Sequence, residues 1–128
     1  MKILGIGVDI TKNSRIKELI KNKSFINRTF GKKEIDFSKK KINKINFFAK
    51  RFAAKESFAK SLGTGFRNDL NFKDIEILNN KMGKPYFIKS KKINDIIKKK
   101  FKIQNYDLFL SISDEKDYAV AFTILQTQ

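Results

Sequence analysis

Cysteine, histidine and tryptophan are absent from this chain of 128 residues, and proline occurs only once. The absence of cysteine excludes a disulfide scaffold and a thiolate metal site. With histidine absent too, a bound divalent ion would need oxygen ligands, which hard ions such as Mg²⁺ prefer. The N-terminal apolar stretch is short and Asp9 interrupts it, so we expect neither a signal sequence nor a membrane partner. We therefore expect a soluble cytoplasmic protein.

Acidic residues are scarce relative to basic ones, which gives a formal net charge of +16. Such a charge predicts a polyanionic partner, either a nucleic acid, a membrane surface or an acidic protein. However, only four of the 29 basic residues are arginines, and the chain is crowded with lysine, isoleucine and asparagine. This pattern is also typical of a genome-wide compositional drift, so the charge alone does not identify the partner.

The first strand, predicted over residues 2–10, has one apolar face and one nearly bare face. The bare face carries Gly5 and Gly7 and is closed by Asp9. Missing side chains allow either a ligand or another backbone to approach closely. A helix is predicted to follow, beginning near Asn13 or Ser14.

The remaining pattern predicts helices first and strands later in the chain. In chain order we expect short helical pieces over 24–42 around Gly31, a long helix over 43–62, a hairpin over 75–88, a helix over 90–101, and strands over 107–113 and 118–125. The length fits one domain, residues 1–128. The predicted fold is therefore α+β, with an antiparallel sheet packed against a long central helix.

A carboxylate falls on the apolar side of the long predicted helix. On a helical wheel started at Phe48, Glu56 lies inside the arc of phenylalanines and alanines. Burying a lone carboxylate costs several kcal/mol unless a cation or hydrogen bonds compensate, so Glu56 needs a partner. Lys60, one turn further on, is a candidate. An ordinary solvated helix pair is the alternative explanation.

Asp9 is the second candidate acid, because it follows the two glycines of the first strand. A helix or turn cap is its ordinary alternative role. Taken together, Asp9 and Glu56 suit a hard ion such as magnesium, which few carboxylates, water and a substrate phosphate hold.

Two further features have open interpretations. Arg51 is one of only four arginines and lies between Phe47 and Phe58 on the opposite side of the long helix, so it is either a phosphate clamp or a buried ion-pair partner. The tripeptide Gly83-Lys84-Pro85 either shapes a hairpin turn or contributes to a binding site.

Four segments form a combined pattern that covers essentially the whole chain: GIGVDI with Arg15-Ile16 behind it, FFAKRFAAKESFAKSLGTG, MGKPY, and SISDEKDYAVAFTIL. In this order and spacing they resemble the bacterial holo-acyl-carrier-protein synthases of the 4'-phosphopantetheinyl transferase superfamily. The short motifs occur widely, whereas the long helical block is highly specific.

The resemblance implies a magnesium-dependent transferase. Such an enzyme moves the 4'-phosphopantetheine of coenzyme A to a serine of apo acyl carrier protein, releases adenosine 3',5'-bisphosphate and supports fatty acid biosynthesis. The resemblance implies that Asp9 and Glu56 hold the magnesium against the pyrophosphate. Glu56 would take the serine proton, directly or through a water on the metal, and Lys60 would steady or protonate the leaving phosphate.

The resemblance also implies a homotrimer with coenzyme A bound between neighbouring subunits. One wall of each site would contain Asp9, Glu56 and Lys60. The next subunit would contribute a wall, around the adenosine and phosphates, that contains Gly83, Lys84, Pro85 and Ser113.

Further roles are implied for basic residues outside these walls. Arg51 matches a family arginine to which we assign the nucleotide phosphates. Arg15, with Lys17 and Lys21, would dock the acidic carrier protein by electrostatic attraction.

The chain departs from the family at Asp114, where many members have histidine. An acid cannot donate a hydrogen bond to a phosphate as imidazolium does. Whether Lys116 compensates is open.

Two rival functions are distinct from transfer. A basic α+β domain with interleaved aromatic residues could bind RNA, although that function gives no reason for Glu56 on an apolar helix face. Alternatively, the chain could keep the trimer of the family and have lost turnover. We expect the enzyme, with no nucleic-acid partner.

Overall fold

The computed structural model describes residues 1–67 and 69–128. In these residues, five helices and five strands enclose one hydrophobic core. The strands are β1 (Ile3–Lys12), β2 (Ile77–Asn79), β3 (Pro85–Phe87), β4 (Tyr106–Asp114) and β5 (Tyr118–Thr127). The helices are α1 (Asn13–Leu19), α2 (Lys23–Thr29), α3 (Lys32–Ser38), α4 (Lys44–Ser61) and α5 (Lys91–Phe101), with a 3-10 turn at Phe72–Asp74. The predicted α+β class is confirmed.

The main sheet has three antiparallel strands in the order β1-β5-β4, so the C-terminal strand lies in the centre. In register, Gly7 pairs with Thr123 and Asp9 with Ala121, while Ser113 pairs with Val120. The separate hairpin of β2 and β3 pairs Ile77 with Phe87.

The first strand is longer than the sequence pattern predicts. It continues to Lys12, so Asp9 lies inside β1 and does not end it. The prediction that Asp9 closes the strand is therefore wrong at that boundary. The alternative role as a helix cap also fails, because α1 follows Lys12 as its N-cap residue. Pairing with β5 as far as Tyr118 explains the extension, since each added residue continues the ladder.

The bare face of β1 packs directly on the backbone of α4. A Cβ atom built on Gly7 would lie 1.9 Å from the carbonyl oxygen of Ser57, and one on Gly5 would lie 1.8 Å from that of Ser61. No real side chain tolerates such distances. Of the two predicted uses of these glycines, the structure therefore shows close approach of another backbone.

Helix α4 is the centre of the molecule and is buried on nearly all sides. It begins after Asn43, whose side chain accepts a hydrogen bond from the amide of Asn46. Gly63 follows the helix with a φ of 79°, a left-handed conformation that suits glycine. The aromatic core around the helix includes Phe25, Phe30, Phe47, Phe48, Phe52, Phe58 and Phe87.

The outer face of the main sheet is apolar and exposed. On β1, Ile6, Val8 and Ile10 keep 58%, 53% and 64% of their surface accessible. Phe122 on β5 and Phe109 on β4 add to this face at 38% and 47%. Large contiguous apolar surfaces of this kind mark sites of association. Within residues 1–67 and 69–128, no helix is both long and apolar enough to cross a membrane.

Candidate active site

The site begins where the middle of β1 faces the last turns of α4. Lys60 donates to the Oδ1 atom of Asp9 at 3.3 Å and to the carbonyl oxygen of Val8 at 3.0 Å. The side chain of Asp9 is 15% exposed, and that of Lys60 is 52% exposed. The lysine therefore covers an acid that is largely withdrawn from water. The bare glycine face makes this possible, because it brings α4 against the strand.

Glu56 lies one helical turn before Lys60 and is half-buried. Burial and, second, the charge of Asp9 raise the pKa of the Glu56 carboxyl, while Lys60 and Arg15 partly lower it. The two acids are therefore close enough to interact electrostatically, in an environment whose burial disfavours the charged form of Glu56. The alternative of an ordinary solvated helix pair does not fit, because Lys60 pairs with Asp9 of another element.

A divalent ion fits this pair of acids chemically. In the part of the chain that the structure describes, no group of three or more histidine, cysteine, aspartate or glutamate side chains forms a complete metal cage. Asp9 and Glu56 nevertheless offer hard oxygen donors. Magnesium in particular is bound by one or two carboxylates together with water and substrate phosphates.

Behind the site, α4 carries a second ionic cluster that is fully buried. Lys55 donates to the Oε1 atom of Glu34 at 2.7 Å, and both side chains are 0% exposed. The Nε atom of Arg51 lies 3.7 Å from the Oε2 atom of Glu34. Lys55 also donates to the carbonyl oxygens of Phe72 and Ile75. Burial lowers the pKa of Lys55, whereas Glu34 raises it. This cluster ties α3 and the approach to β2 onto α4.

Arg51 extends from this cluster toward the turn between β2 and β3. Its Nη2 atom donates to the Oδ1 atom of Asn79 at 2.6 Å, and the amide nitrogen of Asn79 donates to the carbonyl oxygen of Gly83 at 2.8 Å. Of the two predicted roles of Arg51, the structure shows the ion-pair partner. Arg51 also lines a cavity of about 210 Å³ together with Lys41 and Lys50. Phosphate binding by Arg51 stays a prediction.

The tripeptide Gly83-Lys84-Pro85 forms the end of the hairpin turn and the start of β3. Gly83 has a φ of 87°, and the amide of Lys84 donates to the Asn80 side chain at 2.9 Å. The hairpin prediction is therefore confirmed. Binding of a ligand by this turn is not tested.

Ser113 lies on the other side of the main sheet from Asp9. It is exposed, and its neighbours Val120 and Ile10 belong to the apolar outer face. Asp114, the next residue, accepts a hydrogen bond at 2.5 Å from the amide of Asn46 on α4. Within one chain, Ser113 therefore cannot meet the pair of acids.

The three residues predicted to dock a carrier protein are all exposed. Arg15 lies over the ring of Phe52, with 5.3 Å from the guanidinium carbon to the ring centroid. Lys21 forms a surface ion pair with Glu18 at 3.0 Å, and Lys17 is in the last turn of α1. A groove of about 780 Å³ connects Arg15 with Glu56, so the docking residues border the candidate site.

Several polar residues that form buried ion pairs or hydrogen bonds were not predicted from the sequence. Glu34 and Lys55 gave no distinguishing signal, because lysine is abundant and Glu34 lies in an uneven helical pattern. The spacing Gly31 to Glu34 matches a capping box, and Glu34 does accept from the amide of Gly31 at 3.0 Å. Asn79 lies at the end of β2, and an asparagine at a hairpin turn gives no signal for a contact with Arg51.

Comparisons with known proteins agree with the geometry. Residues 5–123 match the 4'-phosphopantetheinyl transferase superfamily. The holo-[acyl-carrier-protein] synthase of Pelagibacter ubique is 59% identical over 126 residues, which cover 98% of each chain. That of Ehrlichia chaffeensis is 46% identical over 131 residues, with 98% of each chain covered.

Solved structures give the same result for the fold. The synthase from Neisseria meningitidis superimposes with a TM-score of 0.86 at 35% identity, covering 98% of this chain and 99% of that one. The Bacillus anthracis synthase, solved in complex with coenzyme A, has a TM-score of 0.82 at 33% identity, with 100% of both chains covered. The resemblance predicted from the sequence is confirmed, and the chain belongs to the 4'-phosphopantetheinyl transferase superfamily, among the holo-[acyl-carrier-protein] synthases.

Proposed function

We propose that this chain transfers the 4'-phosphopantetheine of coenzyme A to a serine of an apo acyl carrier protein. The supporting observation is the meeting of Asp9, Glu56 and Lys60 between β1 and α4 in a member of this family. This transfer gives the holo carrier protein and adenosine 3',5'-bisphosphate. We assign the chain to fatty acid biosynthesis in the cytoplasm.

Magnesium is the metal that fits the pair of acids, and Asp9 and Glu56 would hold it. When bound, the ion neutralises the charge on the pyrophosphate oxygens of coenzyme A. The raised pKa of Glu56 supports this assignment, because it reflects the charge of Asp9 in addition to burial.

The reaction requires one proton acceptor and one group that stabilises the leaving phosphate. The serine oxygen forms a bond to the phosphorus next to the pantetheine, and the bond from this phosphorus to the bridging oxygen breaks. Glu56 takes the serine proton, since its carboxylate lies in the groove that leads to Arg15, where the carrier protein would dock. Lys60, whose side chain is half-exposed above Asp9, steadies or protonates the leaving phosphate.

The second wall of the site comes from a neighbouring subunit in this proposal. Two observations support it, namely the exposed apolar outer face of the sheet and the location of Ser113 on that face. A homotrimer would cover the apolar face and bring Ser113 of one copy toward Asp9 of the next. Gly83, Lys84 and Pro85 are assigned to the same wall, around the adenosine and phosphates.

Arg51 is assigned to the nucleotide phosphates, although its guanidinium already contacts Glu34 and Asn79. The cavity that it shares with Lys41 and Lys50 supports the assignment, because three cationic side chains line a small pocket. The Nε atom of Arg51 is buried and has no hydrogen-bond partner among the described residues. Asp114 accepts a hydrogen bond from the side-chain amide of Asn46. We assign Asp114 to this contact and not to phosphate binding.

The acidic carrier protein would dock on α1, at Arg15, Lys17 and Lys21. Support comes from the exposure of all three side chains and from the groove that leads from Arg15 to Glu56. Electrostatic attraction to an acidic partner would speed encounter and would weaken with salt.

Intact-mass measurement of the carrier protein tests this function. Apo acyl carrier protein is incubated with the chain, coenzyme A and Mg²⁺, and then weighed. We expect a mass gain of one phosphopantetheine, located at the serine by peptide mapping, and no gain with EDTA. An unchanged mass of the carrier protein would contradict the proposed activity. It would favour the alternative that the chain keeps the trimer of the family without turnover. Parallel titration with RNA should show no binding that survives physiological salt.

A further inference from the structure

Thr11 lies beside the candidate metal ligand Asp9 and is almost fully buried, with 2% of its surface exposed. The two residues are two positions apart on β1, so their side chains project to the same side of the strand. The hydroxyl of Thr11 donates to the Oδ2 atom of Asp9 at 2.7 Å. This contact lies on the side of the sheet that faces α4.

The two oxygens of Asp9 therefore have different partners. Thr11 contacts Oδ2 from within the strand, while Lys60 contacts Oδ1 at 3.3 Å from the helix. The neighbouring residues on β5 are Ala119 and Ala121, which have no polar side-chain atoms to compete for the carboxylate. Donors on both sides fix the side-chain rotation of Asp9.

The two donors differ in how firmly they are held. The side chain of Lys60 is half-exposed, whereas Thr11 is buried in the strand. Without the hydroxyl at Oδ2, the carboxylate would have more rotational freedom, and ordering it would cost part of the free energy of binding an ion. The hydroxyl restricts this rotation and leaves lone pairs of the carboxylate free for a ligand.

We propose that Thr11 is a positioning residue that holds Asp9 in the orientation needed to bind the divalent ion. This inference rests on the proposed metal site. The hydroxyl does not contact the substrate or the ion; it acts through Asp9. Groups of this kind typically change metal affinity by about 10–100-fold when they are removed.

The test measures Mn²⁺ binding by electron paramagnetic resonance in the presence of coenzyme A and without carrier protein, so that no turnover occurs. Mn²⁺ serves as a paramagnetic probe for a site built from carboxylates and water. Thr11→Val removes the hydroxyl at nearly constant volume and should weaken Mn²⁺ binding by about tenfold or more. Thr11→Ser keeps the hydroxyl and should bind Mn²⁺ within about threefold of the unmodified chain, a margin well below that loss.

Circular dichroism and thermal melting establish that each variant is folded, and Thr11→Ala replaces Thr11→Val if the latter does not fold. Unchanged Mn²⁺ affinity in the hydroxyl-free variant overturns the inference. Equal losses in the serine and valine variants also overturn it, because the serine variant keeps the hydroxyl to which the role is assigned. If the unmodified chain itself binds no Mn²⁺ with coenzyme A, the proposed metal site fails, and the role of Thr11 fails with it.

Discussion

At the scale of single residues, the candidate site depends on two acids, Asp9 and Glu56, that lie close enough to interact electrostatically. Asp9, Glu56 and Lys60 were predicted from the sequence because glycine, apolar helix positions and helical spacing each make them unusual. The structure adds their contacts, since only the folded chain shows that Lys60 pairs with Asp9 and not with Glu56. Thr11 could not be predicted, because a threonine in a strand is ordinary until its hydroxyl meets a carboxylate.

Glu56→Gln should remove the activity and stabilise the resting fold. The folded protein raises the pKa of Glu56 above its ordinary value of 4.5, so ionised Glu56 destabilises the fold as the pH rises through that raised pKa. The variant should therefore melt at a higher temperature than the unmodified chain at neutral pH, and this advantage should vanish below about pH 4. Turnover should fall by about 10²-fold or more, since glutamine is neither a base nor an anionic ligand.

Calorimetry from pH 4 to pH 8 and the carrier mass assay check these two expectations. Lys44→Gln serves as a control for surface substitution on α4, because Lys44 only contacts the carbonyl oxygen of Lys41 in the described structure. A lower melting temperature for Glu56→Gln at neutral pH would contradict a raised pKa of the Glu56 carboxyl in the folded chain.

At the scale of elements, the site exists because β1 and α4 touch backbone to backbone. The sequence predicted a counterpart of each helix and strand, including the helix between the hairpin and the last two strands. The end of β1 was predicted too early, because pairing with β5 is not visible from one strand alone. The buried cluster of Glu34, Lys55 and Arg51 was also not predictable, since burial of these charges depends on how α3 and the hairpin pack onto α4.

Gly7→Ala should destabilise the fold strongly and reduce activity in whatever protein remains folded. Its Cβ atom would lie 1.9 Å from the backbone oxygen of Ser57, so α4 must move away from β1. We expect a loss of about 3 kcal/mol or more in the free energy of unfolding. Chemical denaturation gives this value, and kcat of the folded fraction reports the displacement of Glu56 from Asp9.

Gly83→Ala is the matched control for the same substitution. Gly83 has a left-handed φ of 87°, but an added Cβ would meet no atom within 4 Å. Only backbone strain of about 1 kcal/mol is expected. Equal destabilisation by the two variants would mean that close packing of β1 on α4 does not determine stability.

At the scale of the whole molecule, one side of the sheet packs on the core and the other is apolar and exposed. The apolar alternation of β1 was visible in the sequence, but a strand with one bare and one apolar face does not reveal which side faces the core. The structure resolves this, because the glycines pack inward and Ile6, Val8 and Ile10 remain exposed. In the predicted trimer, this exposed face would be buried between neighbouring subunits.

Ile6→Glu should disrupt the oligomer and the activity while leaving the chain folded. Ile6 is 58% exposed in the single chain, so the charge costs little there, whereas burial in an interface would be unfavourable. Sedimentation velocity should show a shift toward smaller species, and the carrier mass assay should show reduced transfer. Ile42→Glu introduces the same charge at a fully exposed position, 104%, away from the sheet and should leave the sedimentation profile unchanged. An Ile6→Glu protein that keeps its oligomeric state would exclude this face as the interface.

The most direct test of the central claim is a crystal structure of the chain with coenzyme A and Mn²⁺, with the ion located by its anomalous scattering. Our account predicts a single peak per site, bound by the carboxylates of Asp9 and Glu56 and by the pyrophosphate of coenzyme A. Carboxylates that turn away from each other, with the peak elsewhere or absent beside a bound coenzyme, would contradict it.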